Sequence, residues 1–149
     1  MMSSNKQDWG TPQDLFDELN KEFQFTLDPC ANDENHKCDK YYTEQENGLM
    51  QNWQGENVFV NPPYGREIPK WVKKSHDESL KPNTKVVMLI PARTDTRWFH
   101  NYIYNIAEIR FLKGRVKFMF DKNKQGQSAP FPSMIVIFER KINKNVYYK

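Results

Sequence analysis

The chain predicts an α/β fold built on a mostly parallel sheet. Three observations carry this expectation. Val86-Val87-Met88-Leu89-Ile90 is an unbroken β-rich apolar run, the mark of a strand buried on both faces. Stretches with helical spacing of apolar residues precede and follow it. The order of segments is helix, strand, polar excursion, strand, helix, strand, helix and then strands, and such alternation builds layers of helices on a parallel sheet.

Thr11-Pro12-Gln13-Asp14 has the form of a helix start, with a hydroxyl N-cap, Pro at the first helical position and an acid in the first turn. Leu15, Phe16, Leu19 and Phe23 follow with helical spacing. Phe23, Phe25 and Leu27 alternate with polar residues, which predicts a short strand ending near Asp28. Residues 29–55 are polar apart from Tyr41, Tyr42 and Trp53, and read as a long excursion with one short helix or strand. Val58-Phe59-Val60 is a strand stopped by Pro62-Pro63. Residues 67–80 predict a helix with Ile68, Trp71, Val72 and Leu80 on its buried side. Trp98, Phe99, Tyr102, Ile103 and Ile106 form a second helical stripe, read as core rather than as a cofactor box. Ile109 with Phe111, then Val116, Phe118 and Phe120, alternate as strands. Ser133 to Phe138 predicts a last strand, pairing antiparallel with its predecessor across the polar loop 121–132. Residues 139–149 read as a basic tail.

A length of 149 residues suits one domain spanning 1–149. Hydrophobic residues make up 38% and aromatics 14%, enough to build a core. The formal charge of +3 is compatible with a nucleic-acid partner without requiring one. The polar start Met1 to Asp8 has no signal-peptide character, and no run of about 20 apolar residues predicts a membrane span. Two cysteines, Cys30 and Cys38, make no disulfide framework, so a cytoplasmic protein is expected. Cys30, His36 and Cys38 supply only three clustered ligands, where structural zinc wants four, so no metal is expected.

Ligands of parallel sheets bind beyond the carboxyl ends of the strands. Two polar strand ends stand out there, Asp28-Pro29-Cys30 and Asn61-Pro62-Pro63-Tyr64. The second suits chemistry on a planar amino group, whose nitrogen lone pair is delocalised into a ring. Accepting hydrogen bonds from both amine hydrogens draws the nitrogen toward tetrahedral geometry and frees that pair. The Asn61 side-chain oxygen can accept one and the Pro62 carbonyl the other. Each proline fixes its own φ, and Pro63 keeps Pro62 extended. Tyr64 can stack on a base extruded from a duplex, an interaction worth about 1–3 kcal/mol. On this reading the ring matters and the hydroxyl need not.

The wider pattern resembles the phage-type DNA N-6-adenine methyltransferase family. The matching pieces are Trp9-Gly10-Thr11-Pro12, Leu27-Asp28-Pro29-Cys30-Ala31, Tyr41-Tyr42-Thr43, Gly48-Leu49 with Trp53, Asn61-Pro62-Pro63-Tyr64, Leu89 to Thr96, Gly114-Arg115 with Phe118, and Ala129 to Ser133. The resemblance implies a Rossmann-like fold, S-adenosylmethionine as methyl donor and the N6 amine of adenine in DNA as target. It implies a donor site formed by Thr11, Pro12, Asp28, Pro29, Cys30, Ala31, Asn47 and Asn61. If phage-encoded, the protein works in the host cytoplasm. The chain departs from many methyltransferases in having no glycine-rich turn after the first strand.

Arg66, Arg93 and Arg97 follow strand ends, and Lys122 and Lys124 lie in the 121–132 loop; all are candidate DNA contacts. So little sequence outside the catalytic sheet predicts a short or relaxed target site, with a homodimer left open. Three other readings compete. A non-enzymatic nucleic-acid-binding module of the same fold accommodates the missing glycine turn. An amide-nitrogen methyltransferase acting on protein glutamine accommodates the Asn-Pro-Pro-Tyr motif. A cytosine-carbon methyltransferase would use Pro29-Cys30 and Glu56-Asn57-Val58, but Glu56 would stand about 15 Å from the catalytic edge at about 3.3 Å per strand residue.

Overall fold

The computed structural model describes residues 10–119 and 126–140. Helix α1 (Gln13–Phe23) begins after Pro12, whose φ of −57° already suits a helix. The Thr11 hydroxyl makes no cap; Pro12 holds the cap position, with no side-chain cap bond. The helix ends at Gln24, which adopts φ 52° and returns its N–H to the Asn20 carbonyl. Asn20 Oδ1 then accepts from the Phe25 N–H. This stop assigns Phe23 to the helix, so the strand expected through Phe23 and Phe25 shrinks to β1 (Leu27–Asp28).

The excursion contains β2 (Lys40–Tyr41) and one 3-10 turn, Gly48–Met50. Next come β3 (Asn57–Val60), helix α2 (Ile68–Ser79) and β4 (Lys85–Pro91). Strands β5 (Glu108–Phe111), β6 (Lys117–Phe118), β7 (Gln127–Ser128) and β8 (Ser133–Glu139) follow. The main sheet has the order β2-β1-β3-β4-β8-β5. Strands β2, β1, β3 and β4 pair parallel, while β8 runs antiparallel to both β4 and β5. Every strand of this sheet except β8 therefore points the same way. This is the mixed, largely parallel sheet that the resemblance implies, with a small antiparallel hairpin near the C-terminus.

That hairpin is β6 with β7, not β6 with β8. The final strand inserts between β4 and β5 because Met134 to Phe138 are apolar on both faces and buried, a pattern that needs neighbours on each side. Glu139 completes β8 beside Lys85, so the basic tail starts later than residue 139. Residues 141–149, Phe120 and residues 121–125 of the 121–132 loop lie outside the described residues. The expected helix over 98–106 is a shorter π-turn, Phe99–Ile103. It buries Phe99 and Ile103 but leaves Ile106 exposed, just as α2 ends before Leu80 and leaves it exposed.

The core forms where α1, through Phe16, Leu19 and Phe23, and α2, through Ile68, Trp71 and Val72, meet the sheet. The Phe16 ring meets Phe59 of β3 edge-on at 5.2 Å between centroids. Full burial of each such side chain contributes roughly 1.5–3 kcal/mol.

Candidate active site

From β1 the chain departs toward β2 on one side, and from β3 toward β4 on the other. The carboxyl ends of the adjacent strands β1 and β3 therefore bound the crevice at which strand order reverses, the place where open α/β sheets bind ligands. Asp28-Pro29-Cys30-Ala31 leaves β1 at this point, and Asn61-Pro62-Pro63-Tyr64 leaves β3 beside it.

Asn61 is half-buried, and its Nδ2 donates to Thr11 Oγ1 at 2.9 Å. Thr11 is buried and stands just before α1. The structure thus joins two site residues that lie 50 positions apart in sequence. With the amide nitrogen turned to Thr11, the amide oxygen faces the other way. Pro62 is buried and Pro63 half-buried, so the turn is stiff and packed.

Tyr64 is 6% exposed. Its hydroxyl donates to the Leu89 carbonyl of β4 at 3.1 Å, and its ring meets Phe118 and Phe131 edge-on. Burial pushes the Tyr64 pKa well up, with Cys30 nearby adding to the effect, so the phenol stays protonated. The hydroxyl anchors the ring to the sheet.

The loop after β1 needs no glycine turn because a carboxylate ties it. Asp28 is 5% exposed, and its Oδ2 accepts from the Lys37 N–H at 2.9 Å while Oδ1 accepts from the Cys30 N–H at 3.4 Å. Burial raises its pKa to about 6 against the opposing pull of these bonds. The Ala31 N–H donates to the Tyr42 carbonyl, fixing the loop to the excursion.

Asn47 takes φ 58° and its Oδ1 accepts from the Leu49 N–H, shaping the turn that carries Gly48. Gly48 lies directly on Pro29: a Cβ there would stand 2.1 Å from the Pro29 carbonyl oxygen. Trp53, fully buried, holds this turn by donating Nε1–H to the Gly48 carbonyl at 3.0 Å. Its backbone N–H donates to Glu78 Oε1 at 2.6 Å. Burial alone would raise the Glu78 pKa, but Lys81, the Trp53 N–H and Lys74 hold it below the usual value. Glu78 was not singled out by sequence, where it is one of many acids on a charged helix.

Glu56 heads β3 at the opposite end of the sheet and pairs with Lys40, while Cys30 follows the far end of β1. The two residues a cytosine-carbon mechanism would need are therefore apart. His36 donates Nδ1–H to the Cys38 carbonyl and stacks on Tyr41. Among the described residues no cluster of three His, Cys, Asp or Glu could hold a metal ion, and no helix is long and apolar enough to cross a membrane.

Arg66, Arg93 and Arg97 are exposed in segments leaving β3 and β4. The Arg93 guanidinium lies 5.9 Å from the centre of the Phe131 ring. Lys113, Arg115 and Lys117 are likewise exposed after β5, charged at every second position and set against the buried Val116 and Phe118. Lys122 and Lys124, like Trp9, fall outside the described residues.

The family model described as DNA N-6-adenine-methyltransferase (Dam) matches residues 1–147. The chain belongs to this family. A DNA N-6-adenine-methyltransferase of Haemophilus phage HP1 is 33% identical over 144 residues, covering 93% of this chain and 82% of the phage protein. A DNA N-6-adenine-methyltransferase of Escherichia phage T1 is 33% identical over 124 residues, covering 81% of this chain and 51% of its own. The chain thus spans about half the length of the T1 protein. As a Dam-family member it is an adenine-specific DNA methyltransferase that uses S-adenosylmethionine. Thr11, the loop Asp28-Pro29-Cys30-Ala31 and Asn61 meet at the crevice between β1 and β3, the place where open α/β sheets take such a ligand.

Proposed function

We propose that Asn61, Pro62, Pro63 and Tyr64 carry the transfer of a methyl group to the adenine N6 amine. The observation that carries this reading is the Asn61 amide, fixed by Thr11 at the carboxyl end of β3 beside the loop from β1. The Asn61 oxygen and the Pro62 carbonyl accept the two amine hydrogens. S-adenosylmethionine, when bound, would supply a methyl group on positively charged sulfur; the nitrogen lone pair would form the new N–C bond as the methyl–sulfur pair left with sulfur, and the nitrogen would shed one proton to water. Thr11, Pro12, Pro29, Cys30, Ala31, Asn47 and Asn61 would hold the donor, and Asp28 would contribute by fixing the loop. Tyr64 stacks on the extruded adenine, which requires the half-exposed Phe131 to shift from its ring.

The charge pattern supports a DNA face on the same edge. Lys21, Lys40, Lys70, Lys73, Lys74, Lys81, Lys85 and Arg110 each pair with a carboxylate. Lys37, whose Nζ donates to Gln13, and Arg140 after β8 make no ion pair among the described residues, and neither do Arg66, Arg93, Arg97, Lys113, Arg115 and Lys117. The latter six sit in segments leaving the carboxyl ends of β3, β4 and β5, the edge of Asn61, where they can meet phosphates. The proposed setting is the cytoplasm, where duplex DNA and donor meet, with one domain as the catalytic unit.

The test is incubation of the protein with labelled donor and unmethylated DNA, followed by nucleoside analysis. N6-methyldeoxyadenosine formed by the native protein and not by Asn61→Ala supports the assignment. Equal product from both contradicts it.

A further inference from the structure

The pattern Thr11-Pro12 assigns the threonine hydroxyl to capping α1, and the fold does not use it so. The first turn is closed by the Pro12 carbonyl accepting from the Phe16 N–H, while Asp14 Oδ1 takes the Leu15 N–H. The hydroxyl instead accepts from Asn61 Nδ2, and Thr11 is only 4% exposed. Its position is over-determined. Gly10 exchanges two backbone hydrogen bonds with Met119, at 2.7 and 2.8 Å, which ties the residue before Thr11 to the strand after Phe118. The approach is close: a Cβ on Gly10 would stand 2.5 Å from the Met119 carbonyl oxygen. Thr11 is thus clamped between this bridge and the start of α1.

An asparagine amide has one accepting end and one donating end, and a half-turn about its last bond exchanges them. Only one orientation offers an oxygen to an incoming amine; the other offers two N–H groups that would repel it. In the structure Thr11 Oγ1 accepts from Nδ2 and so holds the amide in the productive orientation before substrate arrives, which is preorganisation rather than binding. We propose that Thr11 is the positioning residue that sets the Asn61 amide, turning its nitrogen to α1 and its oxygen to the substrate. This rests on the assignment of Asn61 as the acceptor for the adenine amine. Thr11 thereby acts on the chemical step through Asn61, a role separate from any contact it makes with the donor.

The experiment compares Thr11→Val, which keeps the shape and removes the acceptor, with Thr11→Ser, which keeps the acceptor. Three quantities are read for each: kcat at saturating donor and DNA, donor Kd by calorimetry, and the Asn61 side-chain amide resonances in 15N-labelled protein, assigned by their loss in Asn61→Ala. Thr11→Val is expected to lower kcat by about fivefold or more, the size of one ordinary hydrogen bond. Donor Kd should change less than kcat, the Asn61 amide proton bonded to Thr11 should shift upfield, and Thr11→Ser should restore kcat and that resonance. Unchanged kcat with unchanged Asn61 resonances overturns the proposal. So does a raised donor Kd with kcat intact, which makes Thr11 a donor contact only. Should Thr11→Val fail to fold, Thr11→Ala and Thr11→Ser are compared by the same resonances and kcat, with the same outcomes. If Asn61→Ala itself turns over normally, the parent assignment has failed; if Asn61→Ala is inactive while Thr11→Val is normal, only the present inference has.

Discussion

Asp28 carries a charge whose burial the fold resists, and this makes a pH prediction at the scale of one residue. The folded carboxyl keeps its proton up to about pH 6, whereas the ordinary value is 3.8. Between those values the folded state binds a proton that the unfolded state has released, so stability from this group declines as pH rises from about 4 to 6. Denaturant unfolding at a series of pH values should show that decline in the native protein and a flatter profile in Asp28→Asn; parallel profiles contradict the account. Tyr64 separates shape from hydrogen bonding. Tyr64→Phe leaves the buried Leu89 carbonyl without the phenol and should cost about 1 kcal/mol of stability. Tyr64→Ala removes a packed ring and should cost about 3–5 kcal/mol. Equal midpoint shifts for the two in urea would show that the hydroxyl, not the ring, sets the cost. The motif residues themselves were legible in the sequence because their chemistry is local. The use of the Thr11 hydroxyl was not, because its partner is 50 residues away and the local rule for a helix start gives a different answer.

Among elements, the turn Gly48–Met50 shows how a polar stretch with little apolar periodicity is still fixed in place. Its support is a relay: Glu78 of α2 holds the Trp53 N–H, Trp53 holds the Gly48 carbonyl, and Gly48 rests on Pro29. Gly48→Ala forces the turn and the β1 loop apart and should weaken donor binding while costing about 1–3 kcal/mol of stability. Calorimetry with the demethylated donor product reads the first effect; unaltered affinity would detach this turn from the donor site. The segment after β5 gives a second prediction at this scale. Each lysine or arginine lost from a phosphate contact lowers the slope of log affinity against log salt by about 0.9. Replacing Lys113, Arg115 and Lys117 with alanine should flatten that slope and weaken binding to any sequence alike, and an unchanged slope would remove this segment from the DNA face. Helix α2 and strand β4 were legible because long periodic or unbroken apolar runs leave few alternatives. The hairpin was misassigned because β6 and β7 are two residues each, too short for alternation to name a partner, while β8 is apolar on both faces and belongs inside the sheet.

For the molecule as a whole, the function depends on topology more than on any one motif. Reversal of strand order between β1 and β3 brings the β1 loop, Thr11 and Asn61 to one crevice, and the common direction of β3, β4 and β5 puts the segments carrying Arg66, Arg93, Arg97, Lys113 and Arg115 along the same edge. The α/β class was readable from the alternation of segments; the insertion of β8 between β4 and β5 was not, because no local pattern reports which strands become neighbours. The sheet, its helices and the loops that build the crevice take up most of the described residues, and each good bidentate contact contributes only about 1–3 kcal/mol of discrimination. A short or relaxed target site is therefore expected when modified adenines are mapped by sequencing, and a site of six or more fixed bases read by a demonstrated monomer would contradict this. The central claim is that the Asn61 oxygen activates the adenine amine. Single-turnover methyl transfer by Asn61→Ala, at saturating donor and DNA, tests it most directly. The account predicts a fall of roughly 10²–10³-fold in rate at saturating donor, as for loss of one preorganised hydrogen-bonding group at a reacting centre, with a far smaller change in donor Kd. A variant that binds donor normally and transfers methyl at a near-native rate would contradict it.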